Sequence, residues 1–260
     1  MSVTLSVLTL NLRNILDRYE ERRPLLLGEF ARLQPDLVGL QEVAFAGDEV
    51  QDLLLAAAVP GRHYRLFDAR SARFPDFGNS LMVAVGHPEA TDELRMSNGR
   101  CAVRVLVLLP GNLTLWFATT HLHHRPHEPV ERVAQVEALV EWMNAAPAAD
   151  ATILTGDFNA PPFEPAVALM QQAGYRSAFA AVHGAEPAVT WPSGIQAEGM
   201  DTEGDPNCLD YIWLRGNVEP LEASLVFNEP DPGDPTLYPS DHFGILARVE
   251  VDGRGAAPAR

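Results

Sequence analysis

Apolar positions recur along this chain with two different periods, and the alternation between them predicts most of its elements. Residues 3–12 open with the every-second-residue pattern of Val3, Leu5 and Val7, which predicts a buried strand. Residues 23–34 predict a helix, with Leu26, Leu27, Phe30 and Leu33 as its apolar stripe and Pro24 in its first turn. A short apolar strand at 36–40 then runs into Gln41-Glu42, and 48–58 predict a second helix closed by Pro60-Gly61. Residues 62–67, 80–85, 101–109 and 113–120 predict four strands. The last two are joined by the turn signal Pro110-Gly111-Asn112 and so form a hairpin.

The strongest helical period lies at 128–144. Val133, Val136, Leu139, Val140 and Met143 share one face, which leaves Glu131, Arg132, Gln135 and Glu141 on an expected solvated face. A strand at 151–155, a helix at 165–173 ended by Gly174, and strands at 208–214, 220–227 and 243–251 follow. The strands come in two sets interleaved with helices. No internal sequence repeat and no Gly/Ser linker separates them. This predicts one α/β domain over 1–252, built as two sheets packed face to face with helices outside, and a frayed tail over 253–260. Strand-end polar residues then meet at one edge of the sandwich. Two long loops, 192–207 and 228–239, read either as substrate-contacting segments or as solvated surface.

The strand ends carry the chemistry. Thr9-Leu10-Asn11, Gln41-Glu42, Thr120-His121-Leu122, Gly156-Asp157-Phe158-Asn159, Leu209-Asp210-Tyr211 and Ser240-Asp241-His242 each end or follow an apolar run, and none contains Cys. Oxygen donors with two histidines describe a hydrolase site built around a hard cation. Each motif also has a plainer reading. A strand-end Glu such as Glu42 is also a common solvated edge residue. Asp157 and Asn159 point to one side of an extended segment, where they can accept a proton and hold a water or a phosphate oxygen, or they form an Asx turn before Pro161. Asp210 lies within an apolar strand and needs a partner, which His242 can supply. Of the eight histidines, His121, His123, His124 and His127 cluster in sequence, a spacing that can suggest zinc. Their neighbours are oxygen donors without thiols, so His121 is the chemical candidate and the other three are loop residues that can line a site.

Composition narrows the partners. The 260 residues are 47% hydrophobic and 21% charged, which fits a folded chain, and no apolar run approaches the roughly 18 residues of a membrane helix. A basic stretch leading into an apolar core is missing at the N-terminus, so no signal peptide is expected. Cys101 and Cys208 stand far apart in apolar segments and read as buried free thiols, consistent with a reducing cytoplasm. A formal net charge of −16 disfavours broad contact with long duplex nucleic acid.

The ordered set from Thr9-Leu10-Asn11 to Ser240-Asp241-His242 resembles the endonuclease/exonuclease/phosphatase superfamily, the DNase I-like fold. The resemblance implies a four-layer α/β/β/α sandwich and hydrolysis of phosphoric esters with Mg²⁺ or Mn²⁺. It implies Glu42 as principal metal ligand, with Asn11 beside it and Asp241 as a second metal-site carboxylate. Asp157 is implied to orient or deprotonate the attacking water, and Asn159 to hold that water or a phosphoryl oxygen. Asp210 is implied to pair with His242, which binds the phosphoryl group, while His121 contacts phosphate from the other side. Arg13 either binds phosphate or bridges to a neighbouring acid. Asn79, in Gly78-Asn79-Ser80, and His123 fall where substrate contacts can lie.

Within that superfamily the sequence favours a small or short phosphoester, a diester over a monoester. The net charge argues against a duplex nuclease, no Lys/Arg cluster suits a polyphosphorylated inositol, and no exposed apolar hairpin suits a sphingomyelinase. The competing readings are a nuclease on short or single-stranded nucleic acid, a sphingomyelinase-like phosphodiesterase, and a non-catalytic metal-binding module.

Overall fold

The computed structural model describes residues 1–47, 50–200 and 203–253. In chain order the elements are β1 (Ser2–Asn11), α1 (Tyr19–Leu33), β2 (Leu37–Ala44), α2 (Gln51–Ala57), β3 (Arg65–Arg70), β4 (Phe77–Val83), β5 (His87–Arg95), β6 (Cys101–Leu109), β7 (Leu113–His121) and α3 (Pro129–Ala145). They continue with β8 (Ala151–Asp157), α4 (Pro165–Gln172), β9 (Arg176–Ser177), α5 (Ala178–His183), β10 (Asp210–Gly216), β11 (Val218–Val226) and β12 (Gly244–Asp252).

The strands form two six-stranded mixed sheets, ordered β11-β12-β1-β2-β4-β3 and β5-β6-β7-β8-β10-β9. Each sheet has the same heart. A parallel pair, β1-β2 or β7-β8, is joined through a helix, α1 or α3, and antiparallel strands extend it on both sides. The two halves are thus alike in topology without any repeat in sequence.

Side-chain alternation divides the core into three layers. Between the sheets lie Leu5, Val7, Leu37, Leu115, Phe117, Ile153, Ile212 and Leu214. Outside the first sheet, Leu8, Leu10, Val38 and Leu40 pack on Leu26 and Phe30 of α1 and Leu55 of α2. Outside the second, Trp116, Leu154 and Trp213 pack on Val136 and Leu139 of α3 and Val167 and Met170 of α4. The result is the expected α/β/β/α sandwich.

The inward face changes character along the strands. Leu5 and Val7 give way to Thr9 and Asn11, Leu115 and Phe117 to Thr119 and His121, and Ala151 and Ile153 to Thr155 and Asp157. Beneath the polar edge the sheets approach closely. A side chain at Gly39 would begin 1.9 Å from Thr155 Oγ1 and 2.9 Å from Thr119 Oγ1. Gln41 Nε2 donates across this gap to Thr119 Oγ1 at 2.9 Å.

Several sequence expectations need correction. Helix α1 begins at Tyr19, so Pro24 lies inside it and not in its first turn. The strand expected at 62–67 is β3 at Arg65–Arg70, and the one expected at 80–85 is β4 at Phe77–Val83. Strand β5 gave no apolar signal because it is an exposed, polar edge strand carrying Pro88. The first two residues of the helix expected at 48–58, and residues 254–260 of the expected tail, lie outside the described residues. Among the described residues, no helix is long and apolar enough to cross a membrane.

Candidate active site

The polar ends of β1, β2, β7, β8 and β10 come together at one edge of the sandwich. Period two carries Asn11, His121, Asp157 and Asp210 onto the inward face, and strand register sets them side by side. His121 pairs with Asp157 across the parallel β7-β8 ladder, and Asp157 with Asp210 across β8-β10. Glu42 is different. Strict alternation would put it with Val38 and Leu40 against the helices. Instead the β2-β4 register shifts between Leu40 and Val43, Glu42 has φ 51°, and the residue lines the cleft.

Asp157 is the centre of the arrangement. Its Oδ2 accepts from Asn11 Nδ2 at 2.9 Å and lies 3.4 Å from His121 Nε2 and 3.7 Å from His242 Nε2. Its Oδ1 accepts from the Asn159 backbone N–H at 2.8 Å. The expected Asx turn thus forms while both residues line the cleft, and Asn159, at φ 49°, also donates from Nδ2 to Leu122 O. His242 Nδ1 meets Asp210 Oδ2 at 2.9 Å, and the other oxygen of Asp210 is buried without a hydrogen-bond partner. The Ser240 hydroxyl donates to Asn11 O at 2.6 Å and ties the His242 loop to β1.

Burial and charge push these groups apart in pKa. Burial lifts the Asp157 carboxyl to about 7 against the attraction of His242, and Asp210 raises it further. Burial also opposes charge on His242, but Asp210, Asp241 and Asp157 together outweigh it and raise the imidazole to about 10. His121 goes the other way. Burial, with Arg100, His242, His124 and Arg13 nearby, holds it well below its ordinary value. One imidazole is thus a cation and the other neutral, on either side of a carboxyl that titrates near neutrality.

Glu42 and Asp241 converge on one positive charge, the guanidinium of Arg13. Arg13 Nε is 2.6 Å from Asp17 Oδ2 and 3.6 Å from Asp241 Oδ2. Although burial opposes its charge, Asp241, Glu42 and Asp17 raise its pKa above the usual range. Glu42 Oε2 also accepts from Asn14 Nδ2 at 3.1 Å. Carboxylates gathered around one cationic group offer oxygen donors suited to a hard divalent ion. A second grouping, Asp157, Asp210 and His242, has ligand atoms within 4.8 Å of one another. There His242 already bonds Asp210 and carries a proton, which would compete with any ion.

The cleft has two arms that share Arg13, Glu42, His121 and His124. The first, of about 310 Å³, includes Asn79, His123, Arg73, Phe74 and Arg100. The second, of about 330 Å³, includes Asp157, Asn159, Asp241, His242, Trp191 and Phe163. Asn79 and His123 therefore line the first arm and Asp157 the second. Asn79 Nδ2 donates to Cys101 O at 2.8 Å, and the His123 ring meets Glu128 at 2.7 Å. Of the two long loops, 192–207 lines the second arm through Glu203, Asp205 and Asn207, its residues 201 and 202 lying outside the described residues. The 228–239 loop is instead tied to the start of α1 by Arg18–Asp234 at 2.6 Å.

Arg132 and Gln135 overturn the solvated-face expectation. Arg132 is fully buried, donates to the carbonyls of His123, Arg125 and Pro126, and pairs with Glu164 at 2.6 Å. Gln135 Oε1 accepts from His123 N. Arg22 plays the same part for the loop after β1 and escaped sequence reasoning. It is fully buried and donates to the carbonyls of Leu12, Arg13, Asn14, Leu16, Asp17 and Pro239. Its one sequence signal is its place just before an apolar helical stripe.

Comparison with known proteins agrees with this architecture. Residues 8–242 match the Endonuclease/Exonuclease/phosphatase family. Human Nocturnin is 26% identical over 255 residues, covering 88% of this chain and 58% of its own length, so the chain spans somewhat more than half of that relative. Among solved structures, the human Nocturnin catalytic domain with bound sulfate anion superposes with TM-score 0.77 at 21% identity, covering 97% of each chain. D. rerio TDP2 complexed with single strand DNA product gives 0.76 at 21% identity, covering 95% of this chain and 98% of that one. An endonuclease/exonuclease/phosphatase family protein from Bacteroides thetaiotaomicron gives 0.78 at 15% identity, covering 100% and 99%.

Proposed function

This chain belongs to the Endonuclease/Exonuclease/phosphatase family, and from that membership we propose that it is a divalent-metal-dependent hydrolase of a small or short phosphodiester. The observation that carries this reading is the Asp157 carboxyl, held by Asn11 and the Asn159 backbone with His121 Nε2 at 3.4 Å and His242 Nε2 at 3.7 Å from its Oδ2. Asp157 acts as the general base toward water. With burial raising its pKa to about 7, near neutral pH it is ionised often enough to take the proton and basic enough to hold it. Asn11 fixes Oδ2, and the Asn159 backbone fixes Oδ1, so the carboxyl does not rotate away from the water. Asn159 also offers its side-chain amide to that water or to a phosphoryl oxygen.

His242 donates from Nε2 to a phosphoryl oxygen as negative charge accumulates there, and Asp210 holds its Nδ1 proton and its orientation. His121, neutral, contacts the phosphate from the opposite side. Glu42, Asn11 and Asp241 would hold Mg²⁺ or Mn²⁺, which when bound supplies positive charge to the phosphoryl oxygens. Arg13 balances the two carboxylates and lies where it also meets phosphate.

A nuclease acting on short or single-stranded nucleic acid is the second reading. Trp191 and the 80%-exposed Phe163 in the second arm offer stacking faces for bases. The relative D. rerio TDP2, whose structure holds a single strand DNA product, supports it.

The test compares hydrolysis of bis-p-nitrophenyl phosphate and p-nitrophenyl phosphate with Mg²⁺, Mn²⁺ or EDTA, for the wild type and His242→Ala. We expect metal-dependent diester turnover that falls about 10²- to 10³-fold in the variant. Turnover that survives both EDTA and His242→Ala refutes the proposed chemistry.

A further inference from the structure

All nineteen basic residues of this chain are arginines, scattered so that no stretch reads as a cationic cluster. Folding nevertheless brings Arg73, from the 71–76 loop, and Arg100, just before β6, into the first arm of the cleft. The other cleft arginines are neutralised, Arg13 by Asp17 and Asp241 and Arg132 by Glu164. Among the described residues, neither Arg73 nor Arg100 has a carboxylate within ion-pair distance. Arg100 Nη2 meets His124 Nδ1 at 3.0 Å, and Arg73 lies over the Phe74 ring at 5.4 Å. Two guanidiniums without an ion-pair partner in one arm of the cleft are a local exception in a protein with net charge −16, and a bound anion would pair with both.

The arrangement is built, not incidental to a loose loop. Ser71 Oγ donates to Gly99 O at 2.8 Å and accepts from the backbone N–H groups of Arg73 and Phe74 at 3.2 Å. Gly99 has φ +73°, and a side chain there would begin 2.7 Å from Arg73 Cβ, so the two loops pack closely because that residue is glycine. Arg100 and Arg73 line the same arm as Glu42 and His121, which sets them beside the reaction point. The second arm has the opposite character, with Glu164, Glu203 and Asp205 and, among the described residues, no guanidinium outside an ion pair.

Building on the phosphoesterase reading, we propose that Arg73 and Arg100 form a subsite for a second phosphate, carried by the substrate on one side of the phosphate that reacts. Guanidinium forks match phosphate oxygens in pairs, and Phe74 beside Arg73 offers a face for an adjoining planar ring. The substrate class is therefore a short phosphoester with a further terminal phosphate, bound in one orientation because only one arm accepts it.

Titration calorimetry in EDTA with adenosine 3′,5′-bisphosphate and adenosine 5′-monophosphate tests this without any turnover. The wild type is expected to bind the bisphosphate about tenfold or more tightly than the monophosphate. The preference should collapse to about twofold or less in Arg73→Ala and in Arg100→Ala. Arg73 is exposed and outside the core, so its variant keeps the test open if Arg100→Ala misfolds. Equal affinities in the wild type, no binding of the bisphosphate at millimolar concentration, or a preference that persists in the variants overturns the proposal. Hydrolysis of bis-p-nitrophenyl phosphate by the wild type, measured alongside, separates failure of the subsite from failure of the phosphoesterase reading.

Discussion

Replacing Asp210 with Asn tests whether a buried carboxylate keeps His242 charged. The substitution preserves volume and an oxygen that can accept from Nδ1, but removes a negative charge 2.9 Å from the ring nitrogen. With the charge centres about 4 Å apart and an effective dielectric near 20, the lost attraction is about 4 kcal/mol, or roughly three pKa units. His242 stands at about 10 in the wild type, with Asp241 and Asp157 contributing the remaining attraction. The variant should therefore titrate at about 7. At pH 8.5 that leaves about one thirtieth of the molecules with the imidazolium, and kcat should fall by about thirtyfold there but much less at pH 6.

The same shift has a consequence for stability. A histidine whose folded pKa is raised stabilises the fold fully below its ordinary value of 6.5, and that contribution is lost as pH rises through about 10. The stability gap between wild type and Asp210→Asn should thus be wide at pH 6 and narrow towards pH 10. Nitrogen-detected NMR titration of the imidazole in EDTA reads the pKa, a pH–rate profile on bis-p-nitrophenyl phosphate reads kcat, and denaturant titration at pH 6 and pH 10 reads the stability gap. If His242 in the variant still titrates near 10, the carboxylate of Asp210 is not what holds its charge and the reasoning fails.

Three further outcomes are expected. Glu42→Gln should raise the Mg²⁺ or Mn²⁺ concentration for half-maximal rate by about tenfold or more, because one carboxylate no longer attracts the ion; an unchanged ion dependence would remove Glu42 from the ion site. Arg22→Met should lower stability by about 3–5 kcal/mol in denaturant titration, since it strands several buried carbonyls; a loss below about 1 kcal/mol would contradict that role. Asp52 is buried, and burial raises its pKa against hydrogen bonds from Ser80 and the Leu53 backbone. A raised folded pKa means that stability is lost as Asp52 ionises, so Asp52→Asn should gain on the wild type between pH 4 and pH 7 by calorimetry, and a constant gap would refute the sign.

Much of the site was legible in the residues. Asn11, His121, Asp157 and Asp210 end runs whose every second residue is apolar, and a charged or amide group ending such a run needs a partner. That need made His242 a candidate partner for Asp210, the family resemblance implied the pair, and the structure brings the two to 2.9 Å. Glu42 was named for its position after a strand, yet its entry into the cleft depends on a register shift and a positive φ that no periodicity encodes. Arg132 and Gln135 were misread because a charge on the polar side of a helix looks solvated until a loop lays unpaired carbonyls over it. Strand β5 was missed because an edge strand can be polar throughout and still pair along one side.

The sequence by itself determined the layers, the strand ends and the kinds of atom they offer, since these depend on side-chain period and on the aversion of buried polar groups to being left alone. Tertiary structure decided which of those ends became neighbours, and with that the charge each one holds. It made His242 a cation and His121 neutral, because their pKa values depend on burial and on carboxylates and guanidiniums brought from distant strands and loops. It also put Arg73 beside Arg100, because only packing brings the two loops that carry them together at Gly99.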